Sequence, residues 1–391
     1  MAIKNLKDLD GAGKIIVIRE DLNVPMKDGK ISNDKRIRAA LPTIKMALDK
    51  GAGVVVLSHL GRPTEGVIEE KFSLKPVAAH LGDLLKKSVK VVEDIAEAKP
   101  APGEVVLVDN IRFYKGEKKN DPELAKKLAN IGDIYVMDAF GAAHRAHAST
   151  EGAVRQAKVA AAGPLMQAEL DAFAKVLDNP ARPLAAIIGG SKVSTKLGLL
   201  ENLLNKVDTL IVGGGIANTF LAAEGRNVGK SLYEPDLVPE AKKIIETAKK
   251  LGKELPLPVD VVTAKELAPG QKTSVHPVDK VPADEMILDI GPETVKLYEK
   301  FLGKADTVVW NGPVGAFEIE PFGEGTKAIG QYLADSPAFV VVGGGDSVAA
   351  VEGYGLADKM GYISTGGGAS LELLEGKTLP SVQALLDRSK E

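Results

Sequence analysis

Seven of the ten arginines in this 391-residue chain precede residue 156, whereas its forty lysines are spread along the whole length. Arg19, Arg62, Arg112 and Arg145 stand in loops directly after short apolar runs, and Arg36 and Arg38 open the helical stretch that follows the first loop. His59 accompanies Arg62 in "SHLGRP", and His144 and His147 flank Arg145 in "DAFGAAHRAHAS". A guanidinium is a rigid planar fork that captures phosphate or carboxylate through two parallel hydrogen bonds. A single arginine of this kind is ordinarily a solvated surface residue. A set at successive strand ends reads as a basin for a small, strongly anionic ligand. The three-residue spacing of the two histidines, with no cysteine or carboxylate set beside them, argues against zinc.

The second half carries glycine at the corresponding places: "GGSK" (189–192), "GGGIAN" (213–218), "NGPVGAFE" (311–318), "GGGDS" (343–347) and "STGGGAS" (364–370). Glycine lets backbone approach a ligand and leaves amide N–H groups at helix N-termini, where anions are stabilised. Four or five such turns on one edge, with Lys192 and Lys196 at the opening of a helix, suggest a nucleotide groove. The common formulas are absent. The "GKS" at 229–231 has Glu224 where a phosphate loop needs its first glycine, and the "GKT" at 376–378 has Leu371. "GGGIAN" ends in Asn218 and "GGGDSV" in Val348, so neither completes a dinucleotide fingerprint. Asp346 beside phosphates implies a bridging Mg²⁺, and it also suits an N-cap for a helix starting near Ser347.

Short β-branched runs alternate with helical patterns from end to end. The runs fall at 15–19, 53–58, 104–109, 134–140, 184–190, 208–215, 258–264, 306–313 and 338–346. Most are continuously apolar, as expected for parallel strands covered on both faces. In 34–50, Ile37, Leu41, Ile44 and Leu48 share a face, with Asn33 or Asp34 as N-cap, Gly51 as stop and Pro42 expected to kink or restart the helix. The expected class is α/β, with two doubly wound parallel-sheet, Rossmann-like domains. The apolar stripe at 162–183, closed by Asn-Pro and Arg-Pro, reads as the helix and hinge that join them across a cleft. A small-anion domain facing a nucleotide domain implies phosphoryl transfer, with closure expelling water.

Composition narrows the classes further. The net charge of −3 and 4% aromatic residues give neither a basic field nor stacking platforms for nucleic acid. There is no cysteine, so disulfides, thiolate zinc and thiol nucleophiles are excluded. The polar N-terminus lacks the apolar core of a secretory signal, and no apolar run reaches membrane-spanning length. A soluble cytoplasmic protein is expected.

Taken in order and spacing, "REDLNVPM", "SHLGRP", "DNIRFYKGE", "DAFGAAHRAHAS", "GGSKVSTK", "GGGIANTF", "WNGPVGAFE", "GGGDS" and "STGGGASLELLEGKTLP" resemble the phosphoglycerate kinase family over essentially the whole chain. The resemblance implies reversible phosphoryl transfer between 1,3-bisphosphoglycerate and ADP, giving 3-phosphoglycerate and MgATP, by a monomer. It implies an N-terminal domain (1–170, with 377–391 packing back on it) for 3-phosphoglycerate and a C-terminal domain (171–376) for the nucleotide. By the same resemblance Arg19, Asp21, Leu22, Asn23, Arg36, His59, Leu60, Gly61, Arg62, Arg112 and Arg145 bind 3-phosphoglycerate. Gly190, Lys196, Gly214, Glu318, Gly344, Gly345, Asp346 and Ser347 bind the nucleotide, Glu318 at the ribose and Asp346 at the metal. Arg36 and Lys192 match the residues that steady the phosphoryl group in flight.

Three positions depart from the family pattern. Glu20 replaces a small or apolar residue and is expected to point away, Ser347 replaces the commoner threonine, and Ile287 stands where many members have glycine beside the adenine. The acceptor carboxylate is already ionised at pH 7, so no general base is required, and none is conspicuous. Two rivals remain: a non-catalytic protein that clamps a small anion, and a kinase for another phosphorylated acid. ATP binding separates the first from a kinase, and a substrate panel the second.

Overall fold

Continuously apolar, β-branched runs become buried parallel strands with their helices packed on both faces. The computed structural model describes residues 2–391, and the chain divides into two units, Met1–Asp171 with Thr378–Glu391, and Ala172–Lys377. The first unit runs β1 (Ile15–Arg19), β2 (Met26–Lys27), β3 (Lys30–Ile31), α1 (Lys35–Asp49), β4 (Gly53–Leu57), α2 (Lys75–Leu85), β5 (Val89–Val92) and β6 (Val105–Val108). It continues through α3 (Pro122–Ala129), β7 (Ile134–Met137), α4 (Ala153–Gln156), β8 (Val159–Ala162) and α5 (Pro164–Leu177). Six strands form one parallel sheet in the order β5-β6-β4-β1-β7-β8, and β2 and β3 form a small hairpin beside it. The chain leaves β1 toward β4 and β7 toward β8, so the sheet switches direction between β1 and β7, where open α/β sheets place ligands.

Even-numbered residues of β1 build the core on one face. Ile16 and Ile18 pack with Ile37, Ala40 and Ile44 of α1 and with Val77 and Leu81 of α2. Burial of each such side chain stabilises by about 1.5–3 kcal/mol. Helix α1 runs unbroken through Pro42 rather than restarting there. Pro42 is exposed, as is Arg38 one turn earlier, whose carbonyl loses its N–H partner.

The boundary between the units falls inside α5. The second unit then runs β9 (Leu184–Ile188), α6 (Leu197–Leu204), β10 (Thr209–Val212), α7 (Gly214–Ala223), α8 (Val238–Lys250), β11 (Asp260–Ala264), β12 (Ser274–Pro277) and β13 (Met286–Ile290). It closes with α9 (Pro292–Leu302), β14 (Thr307–Asn311), α10 (Glu324–Asp335), β15 (Phe339–Gly343), α11 (Gly345–Gly353), β16 (Tyr362–Ile363) and α12 (Gly368–Leu374). Its main sheet is parallel, β10-β9-β14-β15-β16, with the direction switch between β9 and β14. The run at 258–264 behaves differently from its neighbours. It forms β11, the centre of a separate antiparallel sheet, β12-β11-β13. An apolar run specifies burial but not strand direction, and its partner β12 alternates between half-buried and exposed.

The last helix, α13 (Pro380–Arg388), belongs to the first unit. Ser381 donates from Oγ to the Thr150 carbonyl at 2.7 Å, and Arg388 donates to the Val154 carbonyl at 2.9 Å.

Candidate active site

In the first unit the loop after β1 turns back on itself and is held by its own polar groups. Asn23 Oδ1 accepts from Gly61 N–H at 2.9 Å, which joins this loop to "SHLGRP". Arg36, one residue into α1, donates from Nη1 to the Asn23 carbonyl at 2.7 Å and lies 3.4 Å from Asp21 Oδ1. Arg112, in the 3₁₀ turn Ile111–Phe113 after β6, donates to the Gly61 carbonyl at 2.8 Å. Asn110 cross-links the same loops, donating to the Leu60 carbonyl at 2.6 Å and accepting from Leu60 N–H at 3.2 Å. Three strand ends thus converge on one basin containing Asp21, Asn23, Arg36, His59, Gly61 and Arg112. Leu22 and Leu60 bury their side chains in the core, leaving only backbone to the basin.

The electrostatics are strongly cationic. Burial, then Arg19, Arg112, Arg36 and Arg145, push His59 well below the usual imidazole range. Burial and the neighbouring arginines bring Arg112 to about 10, still charged at pH 7. Burial and the same arginines bring His147 to about 4. Nε of Arg112 is buried without an acceptor. An orphaned buried donor is costly, and here it fits an incoming anion. Arg145 and Arg62 are exposed at the rim.

Arg19 is placed differently from the other arginines. Its side chain is wholly buried, and its guanidinium is used inside the protein. Nε donates to Ser149 Oγ at 2.8 Å, Nη1 to the Glu20 carbonyl at 2.6 Å, and Nη2 meets His59 Nδ1 at 3.1 Å. Arg19 stands behind His59 and orients it, rather than facing the basin. Buried Glu117 completes the network, accepting from Ser149 Oγ at 2.5 Å and Ser149 N–H at 2.7 Å. The motif "RFYKGE" contains Glu117, but nothing in its spacing marks it as the counter-charge to Arg19. Glu20, expected to point away, is fully buried.

In the second unit the helix after β9 begins at Leu197, beyond both lysines. Lys192 precedes a 3₁₀ turn, Val193–Thr195, and is exposed. Lys196 lies at the N-cap of α6, partly buried, with Nζ on Asn311 Oδ1. Burial lowers the Lys196 pKa, while Asp346 and Glu375 oppose that shift. Asn311 ends β14 and also abuts the Gly344 turn, so it ties the lysine to the glycine-rich loop.

The glycines divide into two kinds. A Cβ on Gly189 would sit 1.9 Å from the Pro313 carbonyl, and one on Gly312 (φ +100) would sit 2.1 Å from the Gly189 carbonyl. These glycines let β9 and β14 approach each other. Gly345 opens α11, and a Cβ there would meet nothing within 4 Å. The first N–H groups of a helix lack intrahelical partners and attract anions. Asp346 makes no cap hydrogen bond, so the N-cap reading fails; Gly344 holds that position at φ +88. Ser347 Oγ instead accepts from Gly312 N–H at 2.5 Å.

A cavity of about 260 Å³ lies along this edge, bounded by Gly190, Gly214, Ile287, Val314, Glu318 and Asp346 among others. Its floor includes Asp289, pushed up to about 8 by burial although its oxygens accept from Ile290 and Gly325 N–H.

Two α/β units, one with an arginine basin at its switch point and one with a glycine-lined cavity ending at a helix N-terminus, define a phosphotransferase. Comparison with known proteins makes this particular. The family described as Phosphoglycerate kinase matches residues 6–377. The phosphoglycerate kinase of Desulfovibrio desulfuricans is 74% identical over 389 residues, with 100% of both chains covered. That of Nitratidesulfovibrio vulgaris is 60% identical over 392 residues, again with 100% of both covered. The solved phosphoglycerate kinase of Coxiella burnetii superposes with a TM-score of 0.96 at 52% identity, covering 99% of this chain and 100% of that one. The Pyrococcus horikoshii enzyme superposes at 0.84 with 33% identity and the same coverage. The chain belongs to the phosphoglycerate kinase family, glycolytic enzymes whose substrates are a phosphoglycerate and an adenine nucleotide.

Proposed function

We propose that this chain transfers a phosphoryl group reversibly between 1,3-bisphosphoglycerate and ADP, with the first unit binding the phosphorylated acid and the second the nucleotide. The observation that carries the reading is the basin joined by Asn23 and Gly61, in which Arg36 and Arg112 converge and Arg112 Nε is buried without an acceptor. Asp21, Asn23, His59, Arg62, Arg112 and Arg145 hold 3-phosphoglycerate. Lys196 and the first N–H groups of α11 hold the nucleotide phosphates, Glu318 the ribose, and Gly190 and Gly214 the adenine side. Lys192 and Arg36 neutralise the phosphoryl group between donor and acceptor, which requires the two sites to come together during transfer. The nucleophile is a carboxylate, ionised at pH 7, so the protein supplies position, charge and exclusion of water.

Magnesium fits this site. Asp346 is an exposed carboxylate on the cavity wall, and Mg²⁺ on a nucleotide needs only one or two protein carboxylates besides phosphate oxygens and water. When bound, the ion neutralises phosphate charge. We place the enzyme in the cytoplasm as a monomer.

The test is Mg²⁺-dependent phosphorylation of 3-phosphoglycerate by ATP, coupled to NADH oxidation, with Arg36→Ala and Lys192→Ala alongside. Both variants should fold and bind ligand yet lose about 100- to 1,000-fold in kcat, the range for one preorganised charge stabiliser. A folded protein that binds both ligands without turnover would remove the assignment. Preference for a different phosphorylated acid in a panel would redirect it.

A further inference from the structure

Glu20 follows β1 and Asp138 follows β7 in a parallel register that pairs Arg19 with Met137, so the two carboxyls emerge side by side on one face of the sheet. Glu20 is 0% exposed, and no N–H or O–H donor reaches either of its oxygens. Asp138, also 0% exposed, is richly supplied. Its Oδ2 accepts from Thr43 of α1 at 2.7 Å, and its Oδ1 accepts from Leu165 N–H at 3.0 Å and Met166 N–H at 3.2 Å, in the first turn of α5. Those donors leave neither Asp138 oxygen without a partner. Two carboxyls side by side and shut from water are costly to charge together, and Glu20, with no donor of its own, is the member that must carry the proton.

We infer that Glu20 and Asp138 hold one proton between them, and that this acid–carboxylate pair fixes the tip of β1 to the first turn of α5, making Glu20 a positioning residue for the loop at 21–23. The charged groups acting on Glu20 agree. Burial and then Asp138 and Asp21 disfavour its ionisation, opposed by Arg19 alone. Arg19 also donates to the Glu20 carbonyl, so the residue is held from both faces of the sheet.

The sign of the pH effect follows. A carboxyl with a raised folded pKa binds more protons folded than unfolded, so stability falls as pH rises from about 4.5 to the raised value, then levels. Glu20→Gln keeps the volume and one N–H donor but cannot titrate. The Tm of Glu20→Gln minus that of wild type should therefore widen from pH 5 upward. The infrared difference spectrum, wild type minus Glu20→Gln at pH 7, should show a protonated-carboxyl stretch beyond the one that Asp289, pushed up to about 8, contributes to both proteins. Glu20→Leu should raise KM for 3-phosphoglycerate about tenfold with kcat within twofold, while Glu20→Gln stays near wild type, as for loss of one hydrogen bond to a charged group. This kinetic arm rests on assigning the basin to the phosphorylated acid; the thermal and infrared arms do not. Parallel Tm profiles, or a difference spectrum with no carboxyl band, would overturn the shared proton. Equal KM for Glu20→Leu and wild type would overturn the positioning role.

Discussion

Arg19 meets Nδ1 of His59 across 3.1 Å. A guanidinium has only donors, so Nδ1 must be the acceptor and the proton must lie on Nε2. Burial and four surrounding arginines hold that imidazole neutral well below its usual range. His59 therefore offers an uncharged N–H to the basin, on a side chain that Arg19, Ser149 and Glu117 keep in place.

The first prediction tests this tautomer. Nitrogen NMR should show His59 neutral with an Nε2 proton from pH 6 to 8. Arg19→Gln should raise its pKa toward the ordinary 6.5 by removing the nearest cation, and should weaken 3-phosphoglycerate binding without contacting it. A His59 that titrates near 6.5 in the wild type would contradict the burial and charge argument.

The second concerns the metal. Asp346 is exposed and makes no cap hydrogen bond, so Asp346→Asn should leave the unfolding free energy within the range of neutral surface changes, about 0.5 kcal/mol. It should raise the Mg²⁺ concentration needed for half-maximal rate by tenfold or more, read in a metal titration at fixed ATP. An unchanged titration would place the ion elsewhere.

The third separates the two kinds of glycine. Gly189→Ala forces a Cβ to 1.9 Å from the Pro313 carbonyl, and backbone cannot yield as a side chain does. Urea unfolding should show a loss of about 1–3 kcal/mol or more. Gly345→Ala meets open space and should leave stability unchanged or slightly higher while raising KM for the nucleotide. Equal losses of stability would contradict the open space at Gly345, and an unchanged nucleotide KM would mean that α11 does not open onto a ligand.

Much of this was legible in order along the chain. Apolar runs marked the sheets, arginines after them marked the first unit's basin, and glycines after them marked the second unit's loops. These are local signals, because a strand's burial and a turn's glycine are decided within a few residues. The exceptions share a cause. Asp109 caps α2 through Leu74 N–H at 2.7 Å, Asp138 caps α5, and Asp260 caps α9 through Thr294 N–H at 2.8 Å. Each carboxylate comes from a strand far off in sequence, where the capping rules expect a neighbour.

The chain's residues by themselves determined which side chains stand at strand ends, and so the chemistry available to the protein. Only the tertiary structure decided which of them face a ligand. Arg19 and Arg112 look alike as arginines after apolar runs, yet Ser149, the Glu20 carbonyl and His59 occupy all three nitrogens of the first, while Nε of the second is buried with no acceptor. Glu20 and Asp138 are separated by more than a hundred residues and become a pair through the register of β1 on β7. Hydrogen-bond capacity is shared out by neighbours in space, and parallel strand pairing brings together residues whose separation in sequence carries no local trace.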